Sequence, residues 1–251
     1  MAKLVILGSA NAVTSPHHEN THLAIIGAEN TLLIDSPGNP LVRLKKLGVP
    51  LEQISDLVLT HFHPDHVSGV PLLLMDLWLL GRQSPLQIHG LDHTLKRIEQ
   101  VLELYNWSHW PGFYPLHFNR LPEEELVPVV DRGEFRLFAS PVNHMVPNIG
   151  LRVEFADSDK AMAYSSDTEP CQQVVRLAQG VDVLIHEAAG EAKGHTSPRQ
   201  AGQVAREAEV NALYLIHYPC WDNDPQPFIA EAEETFAGRV DLAVDLMEIE
   251  F

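Results

Sequence analysis

Cysteine is nearly absent from this chain of 251 residues, which has two thiols, Cys171 and Cys220, and no CxxC spacing. That supports neither a disulfide framework nor a thiolate zinc knuckle, and both read as buried free thiols. Basic residues are scarce as well. Lys and Arg number 17 against 34 Asp and Glu, a formal net charge of -17, and the stretch from Asp222 to Glu250 holds one basic residue, Arg239. Such a field repels polyanions. The densest basic groupings, Arg43-Lys45-Lys46 and Lys96-Arg97, are the pairs and triplets of an ordinary solvated helix face. Long apolar runs are missing too: the opening MAKLVILGSA carries only Leu4 to Leu7, too short for a signal core, and no later stretch approaches a membrane-spanning length. A cytoplasmic location with no membrane partner is the expectation.

The chain is 45% hydrophobic and 20% charged, enough to bury a core in one large domain or two similar halves. No low-complexity linker or short-period repeat divides it, so a single domain over residues 1–251 is expected. Apolar runs and alternation predict strands at Leu4–Leu7, His22–Ile26, Thr31–Asp35, Leu57–Thr60, Leu86–His89, Leu137–Ser140, Leu151–Phe155, Ala161–Ser165, Val183–His186, Leu213–His217 and one ending near Phe251. Helices are predicted at Leu72–Leu80, Asp92–Tyr105, Pro170–Gln179, Pro198–Glu209 and Pro225–Phe236. In Pro198–Glu209, Ser197 can cap, and Ala201, Val204, Ala205 and Ala208 form a narrow stripe of small residues suited to a sheet surface. The mixture implies an α/β fold of sheets between helices rather than a barrel or bundle. The segment 104–118 crowds Tyr105, Trp107, Trp110, Phe113, Tyr114 and Phe118 around a Pro-Gly turn. It suits a satellite apolar cluster as well as a substrate-lining lid or a homodimer contact.

Polar side chains concentrate in LTHFHPDHVSG, residues 59–69, directly after a strand. His61 and His63 are two apart, so in an extended loop their rings face the same way and can share a cation. Asp65 and His66 follow Pro64, which forces a turn, and point elsewhere. Two metal positions rather than one follow from that divergence. Four residues of one loop cannot complete two metal shells, and His144, Asp167 and His217 each close or follow another predicted strand. Imidazole and carboxylate suit zinc, manganese or iron, with zinc favoured.

The run His61 to His66 resembles the HxHxDH signature of the metallo-β-lactamase superfamily, and the later residues follow that family's order across nearly the whole chain. The resemblance implies a four-layer αββα sandwich, two mixed sheets flanked by helices. It also implies two divalent metal ions: His61, His63 and His144 at the first, Asp65, His66 and His217 at the second, and Asp167 bridging. An aspartate rather than a cysteine at that bridging position fits the dinuclear hydrolases and not a true β-lactamase. Residues 184–210 resemble the HEAT and HST motifs of tRNase Z and its phosphodiesterase relatives, which implies that His195 protonates the leaving group, while Asp65 orients the attacking water. His186 is either support for a ligand or packing, and Asp35 an outer or turn residue near the metals. His17, His18, His22, His89, His93, His109 and His117 read as surface or satisfied core groups.

The long basic arm of tRNase Z has no counterpart between His66 and His144, and Tyr164 stands where many tRNase Z sequences carry glutamate. With the negative charge, these features point away from tRNA. The expectation is therefore a dinuclear metal-dependent phosphodiesterase acting on a small or cyclic phosphodiester. The alternatives are a thioester, ester or lactone hydrolase, tRNA 3′ processing, and a metal-bearing scaffold without hydrolytic action.

Overall fold

The computed structural model describes residues 2–251. Among the described residues, fourteen strands form two seven-stranded sheets. The strands of the first half are β1 (Lys3–Gly8), β2 (His22–Ile26), β3 (Thr31–Ile34), β4 (Ile54–Val58), β5 (Leu86–Leu91) and β6 (Leu116–Leu121). Those of the second are β7 (Val127–Asp131), β8 (Phe135–Val142), β9 (Asn148–Phe155), β10 (Ala161–Tyr164), β11 (Val183–Glu187), β12 (Ala212–Ile216) and β13 (Arg239–Leu242), after which β14 (Glu248–Glu250) returns to the first sheet. The orders are β14-β1-β2-β3-β4-β5-β6 and β13-β12-β11-β10-β9-β8-β7. Each sheet is antiparallel in one half and parallel in the other, the change falling at β3 and at β10.

Period-two alternation explains the layering. Leu4 and Ile6 of β1, Leu151 and Val153 of β9, and Tyr214 and Ile216 of β12 meet in one core between the sheets. Their neighbours Val5 and Leu7 face outward into a second core on the first sheet, and Leu213 and Leu215 into a third on the second. Strands buried on both faces require helices outside them. The helices α1 (Pro40–Lys46), α2 (Pro64–Val67), α3 (Val70–Leu79) and α4 (Asp92–Leu104) follow strands of the first sheet, and α5 (Gln172–Leu177), α6 (Pro198–Glu207) and α7 (Pro227–Glu233) those of the second. The result is the four-layer αββα sandwich. Ser197 and Gln200 form a capping box that fixes the start of α6. A Cβ at Gly202 would lie 2.4 Å from the Ala232 carbonyl oxygen, so glycine there lets α7 approach α6.

Departures from the sequence-based expectation fall on particular elements. The strands β6, β7 and β13 and the helices α1 and α2 were not anticipated, only a turn being expected at Pro64, and the helices expected at Pro170–Gln179 and Pro225–Phe236 are shorter, at α5 and α7. All three unexpected strands are sheet edges. The side chains of β6 and β7 do not alternate cleanly between core and solvent, β7 contains Pro128, which an edge tolerates, and β13 alternates but over only four residues. The aromatic stretch packs as a satellite cluster: Trp107 and Phe113 lie against the outer core of the first sheet, Trp110 stacks on Trp78 at 5.2 Å, and Tyr114 donates to the Leu74 carbonyl of α3. Cys220 is buried and Cys171 half-buried, both free. Among the described residues, no helix is long and apolar enough to cross a membrane.

His186 and His22 are buried without a partner for Nε2, and burial lowers each to about 4. An unfolded histidine titrates near 6.5, so between these values the unfolded chain binds more protons and stability falls with falling pH. Chemical denaturation from pH 7 to pH 4 should show a loss on the order of 3 kcal/mol for each histidine. His186→Gln should flatten that slope by up to about one proton. An unchanged slope in the variant would show that His186 does not carry this linkage.

Candidate metal centre

Strand ends from both sheets meet at one end of the sandwich. Asp35 follows β3, His61 and His63 follow β4, His144 follows β8, Asp167 follows β10, Glu187 ends β11 and His217 follows β12. Three residues there adopt a left-handed backbone, Asp35 at φ 64°, Ser166 at 53° and His217 at 55°. Such a residue turns a strand abruptly and costs about 1–3 kcal/mol, tolerated where the surroundings enforce it. Bridges from Ala10 to Asn20 and to Tyr218, with the His217 amide donating to the Ser9 carbonyl, fasten the end of β1 to the end of β12 across the two sheets.

His63 Nδ1 lies 3.1 Å from His61 Nε2 and 3.1 Å from His144 Nε2, so three ring nitrogens face one point. A second group comprises Asp65, His66, Asp167 and His217, and in each group the donor atoms lie within 4.8 Å of one another. Asp167 Oδ2 stands 3.2 Å from His217 Nε2, 3.4 Å from His66 Nε2 and 3.9 Å from His61 Nε2, which places it between the groups. The arrangement fits cations. Asp167 Oδ1 and His66 Nε2 are buried with no hydrogen-bond partner, a costly state for polar atoms unless something charged completes them.

Electrostatics point the same way. Burial lowers the pKa of His61 far below its ordinary value, lowers His63 and His144, and brings His217 to about 4, so these rings are neutral, as a ligand must be. Burial alone would raise Asp167, yet His217, His66 and His61 hold it well below the carboxylate range. His66 is the exception: against the effect of burial, Asp167 and Asp35 push it well above 6.5, so cation uptake there displaces a proton.

The nitrogens turned away from the centre are held by the surrounding protein. His66 Nδ1 donates to Asp35 Oδ2 at 2.8 Å, and His144 Nδ1 to the Gly194 carbonyl at 2.7 Å. His61 Nδ1 meets Thr60 Oγ1 at 3.0 Å and His217 Nδ1 meets Thr21 Oγ1 at 3.2 Å. Asp35 also accepts from the Thr60 amide and hydroxyl, so it is both the outer residue and the turn residue expected of it. Such contacts set tautomer and ring orientation. Asn148 donates to the Asp167 carbonyl and accepts from Ser166 Oγ, which holds the loop after β10.

His195 Nδ1 lies 3.1 Å from Glu187 Oε1, and its ring is 5.2 Å from that of His144 and 5.9 Å from that of His217. A donor atom of His195 also groups with His144 and Asp167. The hydrogen bond to Glu187 raises the His195 pKa, and burial raises Glu187 to about 7. Of the neighbours His186 and Glu187, the strand's alternation turns Glu187 toward the centre and leaves His186 packed without a site contact, which decides that alternative for packing. Thr21, Thr60, Asn148 and Glu187 had not been singled out by sequence reasoning. Glu187 could have been, because it continues the outward-inward alternation past Ile185 at a strand's C-terminal end. His18 Nδ1 pairs with Ser9 and His89 Nε2 with Asp56, but His89 Nδ1, His93 Nδ1 and His22 Nε2 are buried without a partner, so the expectation of surface or satisfied core groups holds only in part.

The sequence profile of the beta-lactamase superfamily domain matches residues 30–218. The chain belongs to this superfamily. The ribonuclease Z of Methanothermobacter thermautotrophicus is 25% identical, with 100% of this chain and 97% of that protein covered. Among solved structures, the metallo-beta-lactamase fold protein YhfI of Bacillus subtilis superposes with a TM-score of 0.83 at 20% identity, covering 100% of this chain and 99% of that one. The short form of human tRNase Z, ELAC1, does so with a TM-score of 0.77 at 23% identity and the same coverage. These likenesses bear out the superfamily's sandwich fold and its tRNase Z-like branch for this chain, together with the capacity for divalent metal. They give no support to the expectation that tRNA is not a substrate, since curated relatives of full length are ribonucleases Z.

Gly194, at φ 82°, has no room for a side chain: a Cβ would lie 2.9 Å from His144 Nδ1 and 3.1 Å from Met145 Cγ. Gly194→Ala should therefore weaken cation binding by the His61, His63 and His144 group, and Asp35→Asn that of the group containing His66, each by about tenfold or more. Equilibrium dialysis with a divalent cation measures both. Wild-type affinity in both variants would show that His144 and His66 are not oriented for a cation in this way.

Proposed function

We propose that this protein is a dinuclear metal-dependent phosphodiesterase, a single domain over residues 1–251. In it His61, His63 and His144 hold one cation, Asp65, His66 and His217 the other, and Asp167 is shared. The observation that carries this reading is the position of Asp167 Oδ2 within 3.9 Å of imidazole nitrogens from both groups. Zinc is the proposed ion, on the donor set of imidazole with few carboxylates. Two free thiols and no disulfide among the described residues support a cytoplasmic location.

Divalent cations bound there would make water acidic enough to lose a proton near neutral pH and would offset charge on a phosphoryl oxygen. The chain's own groups do the rest. Asp65, half-buried at the start of α2 with Oδ2 3.6 Å from His66 Nε2 and 3.9 Å from His217 Nε2, orients the attacking water and accepts its proton. His195, kept protonated toward neutral pH by Glu187, donates a proton to the departing oxygen. The dipole of α6, whose serine-capped start lies two residues beyond His195, favours negative charge near that histidine.

Size and charge support the proposed substrate class. The alignment with the ribonuclease Z of M. thermautotrophicus runs over 305 positions against 251 residues here, so at least 305 − 251 = 54 positions have no counterpart in this chain. A shorter, strongly acidic chain favours a small or cyclic phosphodiester. The full-length ribonuclease Z relatives favour a second reading, tRNA 3′ processing.

Asp167→Ala should remove at least one cation per chain by elemental analysis and abolish turnover. Full cation content in that variant would contradict the shared carboxylate. His195→Ala should keep the cations and slow diesters with poor leaving groups by about 10²–10⁴-fold, and good ones far less. Equal slowing of both would exclude proton donation by His195. Comparing bis(4-nitrophenyl) phosphate with a thioester, a lactone and a pre-tRNA decides between the readings; hydrolysis of the thioester or lactone alone would overturn the phosphodiesterase assignment.

A further inference from the structure

A cleft of about 390 Å³ opens beside the first histidine group, lined by His144 and its neighbours from Val142 to Pro147 on one side and by Glu169, Lys193 and Gly194 on the other. Its floor is tied together. The Gly194 amide donates to Glu169 Oε1 at 2.9 Å, the Glu169 amide donates to the Asn143 carbonyl, and the Asn143 amide is held by Thr168 Oγ1. The loop that carries Lys193 and Gly194 also carries His195. The cleft is therefore walled in part by the loop that carries the residue placed to protonate the leaving group.

Lys193 is exposed and makes no ion pair or side-chain hydrogen bond among the described residues. In a chain of net charge -17, an unpaired ammonium beside the site for two divalent cations is out of place electrostatically. It gains a purpose if a bound anion lies between it and the site. The rest of the wall is mixed: Val142, Val146, Pro147 and the half-exposed Met145 suit the face of a ring, Asn143 suits a polar substituent, and the Glu169 carboxylate has Oε1 turned to the Gly194 amide.

We infer that this cleft is the leaving-group subsite, and that it selects a leaving group whose ring carries a second anionic substituent, a carboxylate or phosphate, paired with Lys193. The inference rests on the phosphodiesterase reading above and names its substrate class. Water oxygen adds to phosphorus as the bond from phosphorus to the leaving oxygen breaks. The proton from His195 goes to that oxygen, and the released product is a hydroxy compound still bearing its anionic substituent.

The test uses a matched pair, methyl 4-carboxyphenyl phosphate and the same diester with the carboxylate blocked as its methyl ester, on the metal-loaded protein. The wild type should prefer the free carboxylate by about five- to tenfold in kcat/KM, a preference lost at high salt. Lys193→Met should abolish the preference through KM, leaving the blocked substrate within about twofold of wild type, and Lys193→Arg should retain it. Calorimetric binding of the corresponding unreactive phosphonates should show the same preference, which separates the two claims. No turnover of either diester would overturn the phosphodiesterase reading and leave the subsite to be decided by the phosphonates. Equal binding of the two phosphonates by wild type, or an unchanged preference in Lys193→Met, would overturn the subsite.

Discussion

A carboxylate buried among imidazoles is the constraint on which the rest of this structure depends. Asp167 is almost fully enclosed, one oxygen faces three histidines and the other has no partner. Burying a charge is expensive unless partners surround it. Those partners come from β4 and α2 of the first sheet and from β12 of the second, so the two sheets must be fixed against each other at this end. The bridges from Ala10 to Asn20 and Tyr218 do that at the rim, and the shared core behind them does it in depth. Left-handed residues at three strand ends are consistent with this demand: local strain is accepted where donor groups must converge.

Glu187 links this centre to the proton donor. One oxygen accepts from the Thr168 and Thr196 amides and from His195 Nδ1, and the other accepts from the Ala189 amide. Thr168 is bonded in sequence to Asp167, and Thr196 to His195, so one buried side chain fixes both loops. A displacement of either loop would break hydrogen bonds to a carboxylate that has no solvent to replace them. The shared carboxylate and the candidate acid therefore hold their separation through a third residue rather than through direct contact.

The first half of the centre was legible because local spacing carries it: His61, His63, Asp65 and His66 lie within six positions, and the turn at Pro64 separates two directions without knowledge of the fold. His144, Asp167 and His217 were legible as strand ends plus a family resemblance, but their meeting point depends on strand order, which no local pattern encodes. Thr21 and Thr60 stayed hidden, since a hydroxyl that orients a ring looks like any other until the ring is placed. Glu187 was overshadowed by His186 although alternation distinguishes the two. The edge strands β6, β7 and β13 were missed for a related reason. With solvent or a polar rim on one side, β6 and β7 lack the apolar repetition that marked central strands such as β9 and β12, and β13 has it over only four residues.

The negative surface bears on function beyond what it disfavours. A field that repels a polyanion draws in divalent cations, and it repels a long nucleic acid over its whole length while acting on a small diester only near the site. Once cations are held by the buried histidines, the sign of the potential reverses locally, and Lys193 extends that reversal into the neighbouring cleft. In the small-diester reading, an anion lying within about 8 Å of that reversal, the screening length at physiological salt, is attracted, and a longer one gains nothing further from a chain of net negative charge. On that reading, charge would discriminate by length and supply selectivity that in other enzymes would require added recognition surface.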